Sequence, residues 1–210
     1  MKKLVLSAAL VAVFTGGMST AVGFVAATPA AACVGTGAKS AALAAKLPQV
    51  NYRNHGQHVL ALQLALYGEG YTYLRGTGTY ASETLRAVKD FQRKHHIKAS
   101  GIVGSKTWQA LVGTKPTYAT GNSLHVQPTF TLRPGERNED KVGMLTNMLL
   151  RIHPYGESGS VGGTDTYTPE LQKMVRDFQK RAGIKSSGIV GPKTVAAMNE
   201  VIAVAAHWGC

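Results

Sequence analysis

The chain has 210 residues with 23 Lys and Arg against 11 acidic residues, a formal charge of +12. That length fits one or two domains and excludes a large multidomain machine. Apolar residues make up 44% and charged residues 16% of the chain, a composition that favours neither a disordered chain nor a coiled coil. A chain this basic favours anionic partners, among them nucleic acid, anionic membrane surfaces and the bacterial cell wall.

The first 32 residues have the three parts of a secretory signal peptide. Lys2 and Lys3 are basic, residues 4–14 are apolar, and residues 28–32 supply small residues of the A-x-A type. The alternative is a retained membrane anchor. The apolar run favours the signal peptide, because it is shorter than the 20 or so residues that a membrane span needs. We therefore expect a secreted protein that lacks a membrane span and has no physiological nucleic-acid partner.

The two cysteines, Cys33 and Cys210, lie at opposite ends of the exported part of the chain. In an oxidising exterior, such a pair predicts a disulfide that joins the two ends. Lipidation of Cys33 is an alternative because residues 30–33 loosely resemble a lipoprotein cleavage box, and free or intermolecular thiols are another.

An internal repeat organises the rest of the chain. Residues 79–111 align without a gap on residues 166–198, at an offset of 87 residues and with 17 identities. The sequence SGIVG at 100–104, for example, recurs at 187–191. We predict a first repeat at 47–113, a linker rich in turn-forming residues at 114–129 and a second repeat at 130–204.

Apolar spacing within each repeat predicts helices rather than strands. In the second repeat, Thr168 and Pro169 are suited to the N-cap and first position of a helix, and Gly191-Pro192 begins the next in the same way. Each repeat is therefore predicted to be a three-helix bundle in an all-α protein. In the first repeat two apolar sets would each form one stripe on a helix, namely Val59, Leu62 and Leu66, and Leu85, Val88 and Phe91.

These motifs resemble the peptidoglycan-binding domain family of small three-helix modules, which are found beside bacterial cell-wall hydrolases. The resemblance rests on the helix that ends in Phe91-Gln92, on the SGIVG sequences and on Lys106-Thr107 with their counterparts in the second repeat. It implies two tandem bundles that bind peptidoglycan or another anionic cell-wall polymer. The family usually has Asp where Ser100 and Ser187 stand, and Thr146 replaces the Gln found at position 63. The second repeat is therefore expected to be the weaker binder.

Eleven residues are candidate ligand contacts, and several have a structural alternative. Tyr80 and Tyr167 suit a groove rim or a bundle edge, Gln92 and Gln179 a groove or a loop cap, and Trp108 a stacking surface or the core. Lys106 and Lys193 recur near a helix start and are the best candidates for contacting a stem-peptide carboxylate. The remaining four are Ser100, Gly101, Ser187 and Gly188.

Catalytic signals are absent from the sequence patterns. His55 and His58 are predicted to be exposed polar positions at a helix start. His95 and His96 lie at a predicted helix end, and the repeat does not need them because their counterparts are Ala182 and Gly183. We therefore expect no enzyme activity, no metal and no cofactor. The expected function is that of a secreted, non-catalytic wall-binding protein. Two alternatives are an accessory or separated subunit of a cell-wall hydrolase, which would make that enzyme a partner, and a secreted protein-interaction or inhibitory module.

Overall fold

The computed structural model describes residues 38–114, 127–152, 155 and 163–205. The predicted signal peptide, both cysteines and most of the predicted linker lie outside these residues, so those predictions stay untested. Within the described ranges every regular element is helical. The helices are α1 (Ala38–Lys46), α2 (Gln57–Gly68), α3 (Ser82–Lys94), α4 (Ser105–Trp108), α5 (Glu139–Leu150), α6 (Pro169–Arg181) and α7 (Pro192–Ala205), and a π-helical turn at Gln109–Gly113 continues α4.

The fold is all-α with two tandem three-helix bundles, as predicted. The first bundle consists of α2, α3 and α4 with its π turn, and the second of α5, α6 and α7. The predicted start of α6 is confirmed, because Thr168 Oγ1 accepts a hydrogen bond from the backbone N–H of Leu171 and Pro169 is the first helical residue. α7 begins at Pro192, also as predicted.

Short backbone bridges connect the helices in the same way in both bundles. In the first bundle the segment before α2 pairs with the loop before α4, through Val50 and Val103. In the second bundle the segment before α5 pairs with the loop before α7, through Leu132 and Val190. A second bridge pairs that segment with the turn before the middle helix, through His55 and Thr79, and correspondingly through Arg137 and Thr166. The two bundles are thus structural copies beyond the aligned residues.

Helix α1 lies before the first bundle and packs on its π turn. Gln109 Nε2 donates a hydrogen bond to the carbonyl of Ala41 over 2.9 Å, and Ala44 is fully buried. The apolar spacing did not predict this helix, because its run of alanines carries little apolar periodicity. Helix α1 covers the end of α4 and its π turn, which together are shorter than their counterpart α7.

The two bundles share a contact between α2 and α7. All eight residues from Val59 to Leu66 in α2 are buried, whereas α5, its counterpart, buries only four residues of its length. A helix that is apolar on all sides is covered on all sides. Helix α2 therefore packs on its own bundle with one face and on the second bundle with another.

Candidate functional site

The loop of sequence SGIVG connects the second and third helices of each bundle, at residues 100–104 and 187–191. Its glycines Gly101 and Gly188 have φ of +77° and +74°, a left-handed conformation that side chains other than glycine rarely adopt. A Cβ at Gly101 would lie 2.3 Å from Leu85 Cδ1. Backbone conformation and close packing together explain why glycine occupies this position in both repeats.

A buried glutamine holds each SGIVG loop from the middle helix. Gln92 Oε1 accepts a hydrogen bond from the N–H of Gly101 over 2.9 Å, and Gln92 Nε2 donates to the carbonyl of Ile102 over 2.8 Å and to Thr107 Oγ1 over 3.1 Å. Gln179 makes the same three bonds to Gly188, Ile189 and Thr194 in the second bundle. Of the two roles considered for this glutamine, the geometry gives it that of loop cap.

A buried tyrosine fixes the same loop from the other side. Tyr80 Oη donates to the carbonyl of Gly101 over 2.6 Å, and Tyr167 Oη to the carbonyl of Gly188 over 2.7 Å. Burial raises the pKa of both phenols above the ordinary value. Both hydroxyls therefore stay protonated and remain hydrogen-bond donors at neutral pH.

The side chains of five candidate ligand contacts are buried, and direct ligand contact by them stays a prediction. Trp108 is fully buried and donates from Nε1 to the carbonyl of Pro48 over 2.8 Å. The same holds for the two tyrosines and two glutamines just described, whose polar atoms are engaged within the protein. The tyrosines and glutamines thus hold the SGIVG loops from within the protein, whereas Trp108 holds the segment before α2.

Of the remaining candidates, Gly101 and Gly188 are buried, whereas the lysines and serines reach the surface around the loop. Lys106 and Lys193 are exposed. Ser100 Oγ accepts a hydrogen bond from the N–H of Ile102 over 3.1 Å, and Ser187 Oγ does so from Ile189 over the same distance. A serine thus supplies the side-chain acceptor for this turn without adding the negative charge that an aspartate would bring.

A groove of about 310 Å³ opens beside the loop of the first bundle. Lys98, Ser100, Ile102 and Lys106 line it at the surface, and the buried Gln92 lies beneath it. No acidic residue is among the side chains that line it. The groove therefore offers two ammonium groups and an isoleucine that is 45% exposed, a surface suited to an anionic ligand with apolar groups.

The second bundle carries the same surface residues in the same order. Lys185, Ser187, Ile189 and Lys193 occupy the matching positions, and Ile189 is 41% exposed. A third cation lies at each loop. Lys89 Cε lies 3.2 Å from where a Cβ of Gly101 would be, and Arg176 Nε lies 2.7 Å from that of Gly188.

Sequence reasoning missed Lys98, Lys185, Lys89 and Arg176 as candidates, although the repeat contained the signal. Each is a cation that recurs at the same offset as the rest of the repeat. None of these four side chains, nor Lys106 and Lys193, forms an ion pair with another residue in the described ranges. Within those ranges, ion pairs with carboxylates therefore do not neutralise these six cations at the two SGIVG loops.

The histidines singled out in the sequence are not among the residues that line the groove of the first bundle. His95 stacks on Phe91 with ring centroids 4.1 Å apart, and His58 Nδ1 contacts Glu200 Oε1 of the second bundle. Across residues 38–114, 127–152, 155 and 163–205, three or more His, Cys, Asp or Glu side chains nowhere gather as a metal site would require. Among the helices of these residues, none has the length and apolarity of a bilayer span.

Comparison with known proteins identifies the family. The model of the family described as "Putative peptidoglycan binding domain" matches residues 55–111 and 138–198. These two segments together exceed half of the chain, so the protein belongs to this family, in agreement with the resemblance seen in the sequence.

Two relatives come from Bacillus licheniformis. One, named "Probable N-acetylmuramoyl-L-alanine amidase", is 30% identical over 149 residues, which are 68% of this chain and 42% of the relative. The other, N-acetylmuramoyl-L-alanine amidase CwlL, is 28% identical over 158 residues, or 70% of this chain and 44% of the relative. The chain thus spans less than half the length of either amidase.

Proposed function

We propose that the protein is a secreted, non-catalytic wall-binding protein that holds peptidoglycan or a related anionic wall polymer in the groove of each repeat. Membership in the peptidoglycan-binding family supports the ligand class. The observation that carries the proposal is the recurrence of the same groove residues in both bundles, with two exposed lysines and no lining carboxylate in the first groove.

The groove chemistry fits the carboxylates and small apolar groups of wall stem peptides. Lys98 and Lys106 in the first groove, and Lys185 and Lys193 in the second, would attract a carboxylate. Ile102 and Ile189 offer apolar surface to a neighbouring methyl group. The overall positive charge adds a sequence-independent attraction to wall carboxylates and phosphates, which salt weakens.

Co-sedimentation with purified sacculi over a salt series tests this function. The protein should pellet with sacculi at low salt, and the bound fraction should fall steadily as salt rises. Its absence from the low-salt pellet would contradict the proposal. A parallel pull-down from culture supernatant would show whether a protein partner binds in place of the wall.

A second function is favoured by the names of the two amidase relatives. The chain would then act as an accessory subunit of a cell-wall hydrolase or carry hydrolytic activity itself. Zymography on embedded peptidoglycan separates the two functions. Clearing by the purified protein would support hydrolysis, whereas binding to sacculi without clearing would support the non-catalytic role.

A further inference from the structure

The contact between the two repeats is built on glycines. Gly78, in the turn before α3, lies so close to the end of α6 that a Cβ there would be 1.9 Å from the carbonyl oxygen of Arg181. A Cβ at Gly183 would lie 3.1 Å from the Cα of Gly56. Backbone therefore meets backbone at this contact, and a side chain at Gly78 would force the bundles apart.

Polar bonds fasten the same contact on both sides. Arg181 Nη1 donates to the carbonyls of Arg75 and Gly76, each over 3.1 Å. Gln57 Nε2 donates to Glu200 Oε2 over 2.6 Å, beside the contact of His58 with the same carboxylate. Both helices of the second bundle that flank its SGIVG loop, α6 and α7, thus contact the first bundle directly.

The turn that receives Arg181 is itself held in place from α2. Gln63 Oε1 accepts a hydrogen bond from the N–H of Gly78 over 2.8 Å, and its Nε2 donates to Thr79 O and Thr84 Oγ1, each over 2.9 Å. The second repeat has Thr146 and Leu171 where Gln63 and Thr84 stand. This network is therefore specific to the repeat whose turn meets the other bundle.

The glycines of this contact are not repeated at the corresponding positions of the other repeat. At the offset of the repeat, Asp165 corresponds to Gly78 and His96 corresponds to Gly183. Each of these residues adds a side chain where the observed contact has room for none. Another bundle could therefore not pack on either of these two through the same contact.

From these contacts we infer that the protein is a rigid two-site binder, whose two grooves are held in one orientation to engage two anionic groups of the same polymer strand. This inference rests on the proposed function. Two sites held in a geometry that matches their ligand gain affinity for it by high effective concentration, and the gain falls when that geometry is lost. The glycine contact should therefore control how much more tightly the protein binds a polymer strand than a single unit of that polymer.

The test compares binding of the full chain to two probes, a monomeric disaccharide-peptide unit of peptidoglycan and a soluble strand of several such units. Wild type should bind the strand about 100-fold more tightly than the monomer. Gly78→Ala should keep the monomer affinity and lose at least about tenfold of the strand preference. Gly135→Ala is the matched control, because Gly135 also has φ of +78° but no atom within 4 Å of its Cβ position.

A second pair of variants covers the case in which Gly78→Ala fails to fold. Arg181→Ala removes the two bonds to the first bundle, and Lys94→Ala is its control. Lys94 occupies the matching position in the first repeat, pairs with Asp90 over 2.9 Å and lies over Tyr71 within one bundle. Arg181→Ala should lose strand preference, and Lys94→Ala should keep it.

Equal strand preference in wild type and in the folded interface variants would overturn the inference, as would equal wild-type affinity for both probes. Either result leaves the proposed function standing because the monomer still binds. Wild type that binds neither probe nor sacculi would instead overturn the proposed function, and the inference with it.

Discussion

Gln92 and Gly101 are joined by a 2.9 Å hydrogen bond from the backbone N–H of Gly101 to the buried side-chain oxygen of Gln92. The bond attaches the SGIVG loop, which forms one wall of the first groove, to a buried side chain of α3. Its counterpart joins Gln179 and Gly188 over the same distance. The conformation of each SGIVG loop therefore depends on a buried side chain of the middle helix.

Replacing Gln92 with Ala should destabilise the protein by about 3 kcal/mol, because it leaves the N–H of Gly101, the carbonyl of Ile102 and the hydroxyl of Thr107 without this partner. Urea unfolding measures the loss. The exposed Gln49→Ala is the control and should change stability little. Equal stability of the two variants would show that the loop does not depend on Gln92.

Removing the buried hydroxyls of Tyr80 and Tyr167 by Tyr→Phe should cost about 1 kcal/mol each at neutral pH. Burial raises the pKa of both phenols, so the unfolded chain ionises at a lower pH than the folded one. The contribution of these two tyrosines to wild-type stability should therefore be constant below about pH 10 and fall above it.

Unfolding by urea at a series of pH values from neutral to strongly alkaline checks this titration. The double Tyr→Phe variant should show a shallower alkaline loss than wild type, with Tyr155, whose pKa is also raised by burial, accounting for part of the remainder. An identical alkaline slope in both proteins would contradict the assignment.

Alanine at the two loop glycines should have unequal effects. Both positions have positive φ, which costs about 1 kcal/mol for a residue with a Cβ. At Gly101 the new Cβ also meets the partly buried Leu85, whereas at Gly188 it meets the long side chains of Gln172 and Arg176. Gly101→Ala should therefore lower the melting temperature more than Gly188→Ala, and the reverse order would contradict this packing.

Helix α1 should contribute to the stability of the first bundle. Ala44→Asp places an unpaired carboxylate in a fully buried position and should cost about 3 kcal/mol. Ala42→Asp makes the same change at an exposed position of the same helix and serves as the control. If thermal unfolding shows the same loss for both variants, the packing of α1 on the π turn contributes nothing.

Much of the fold could be predicted from the sequence because the repeat and the apolar spacing are local signals. The stripe of Leu85, Val88 and Phe91 defines α3, and Thr168-Pro169 defines the start of α6. The contact between α2 and α7 depends on residues far apart in the chain, such as Gln57 and Glu200, which no spacing rule connects. The apolar run of α2, interrupted only by Gln63 between Val59 and Leu66, was the one local sign of this contact.

The candidate site was predicted less completely, because the roles of its residues also depend on contacts that sequence spacing does not show. A polar residue such as Gln92 or Tyr80 is compatible in sequence with either a groove or the core, and only its hydrogen bonds to Gly101 and Ile102 decide between them. The cations at Lys98 and Lys185 could have been found, since the repeat aligns them. Their convergence on the SGIVG loops, however, depends on the turn geometry that Gly101 and Gly188 impose.

The most direct test of the account is sacculus binding by a variant in which the four groove lysines, Lys98, Lys106, Lys185 and Lys193, are all replaced by Ala. Its control removes four exposed lysines elsewhere, at Lys46, Lys94, Lys173 and Lys180, and so has the same net charge. We expect the groove variant to stay in the supernatant at a salt concentration where wild type and the control still pellet with sacculi. Pelleting of the groove variant to the same extent as the control would show that the grooves do not bind the wall.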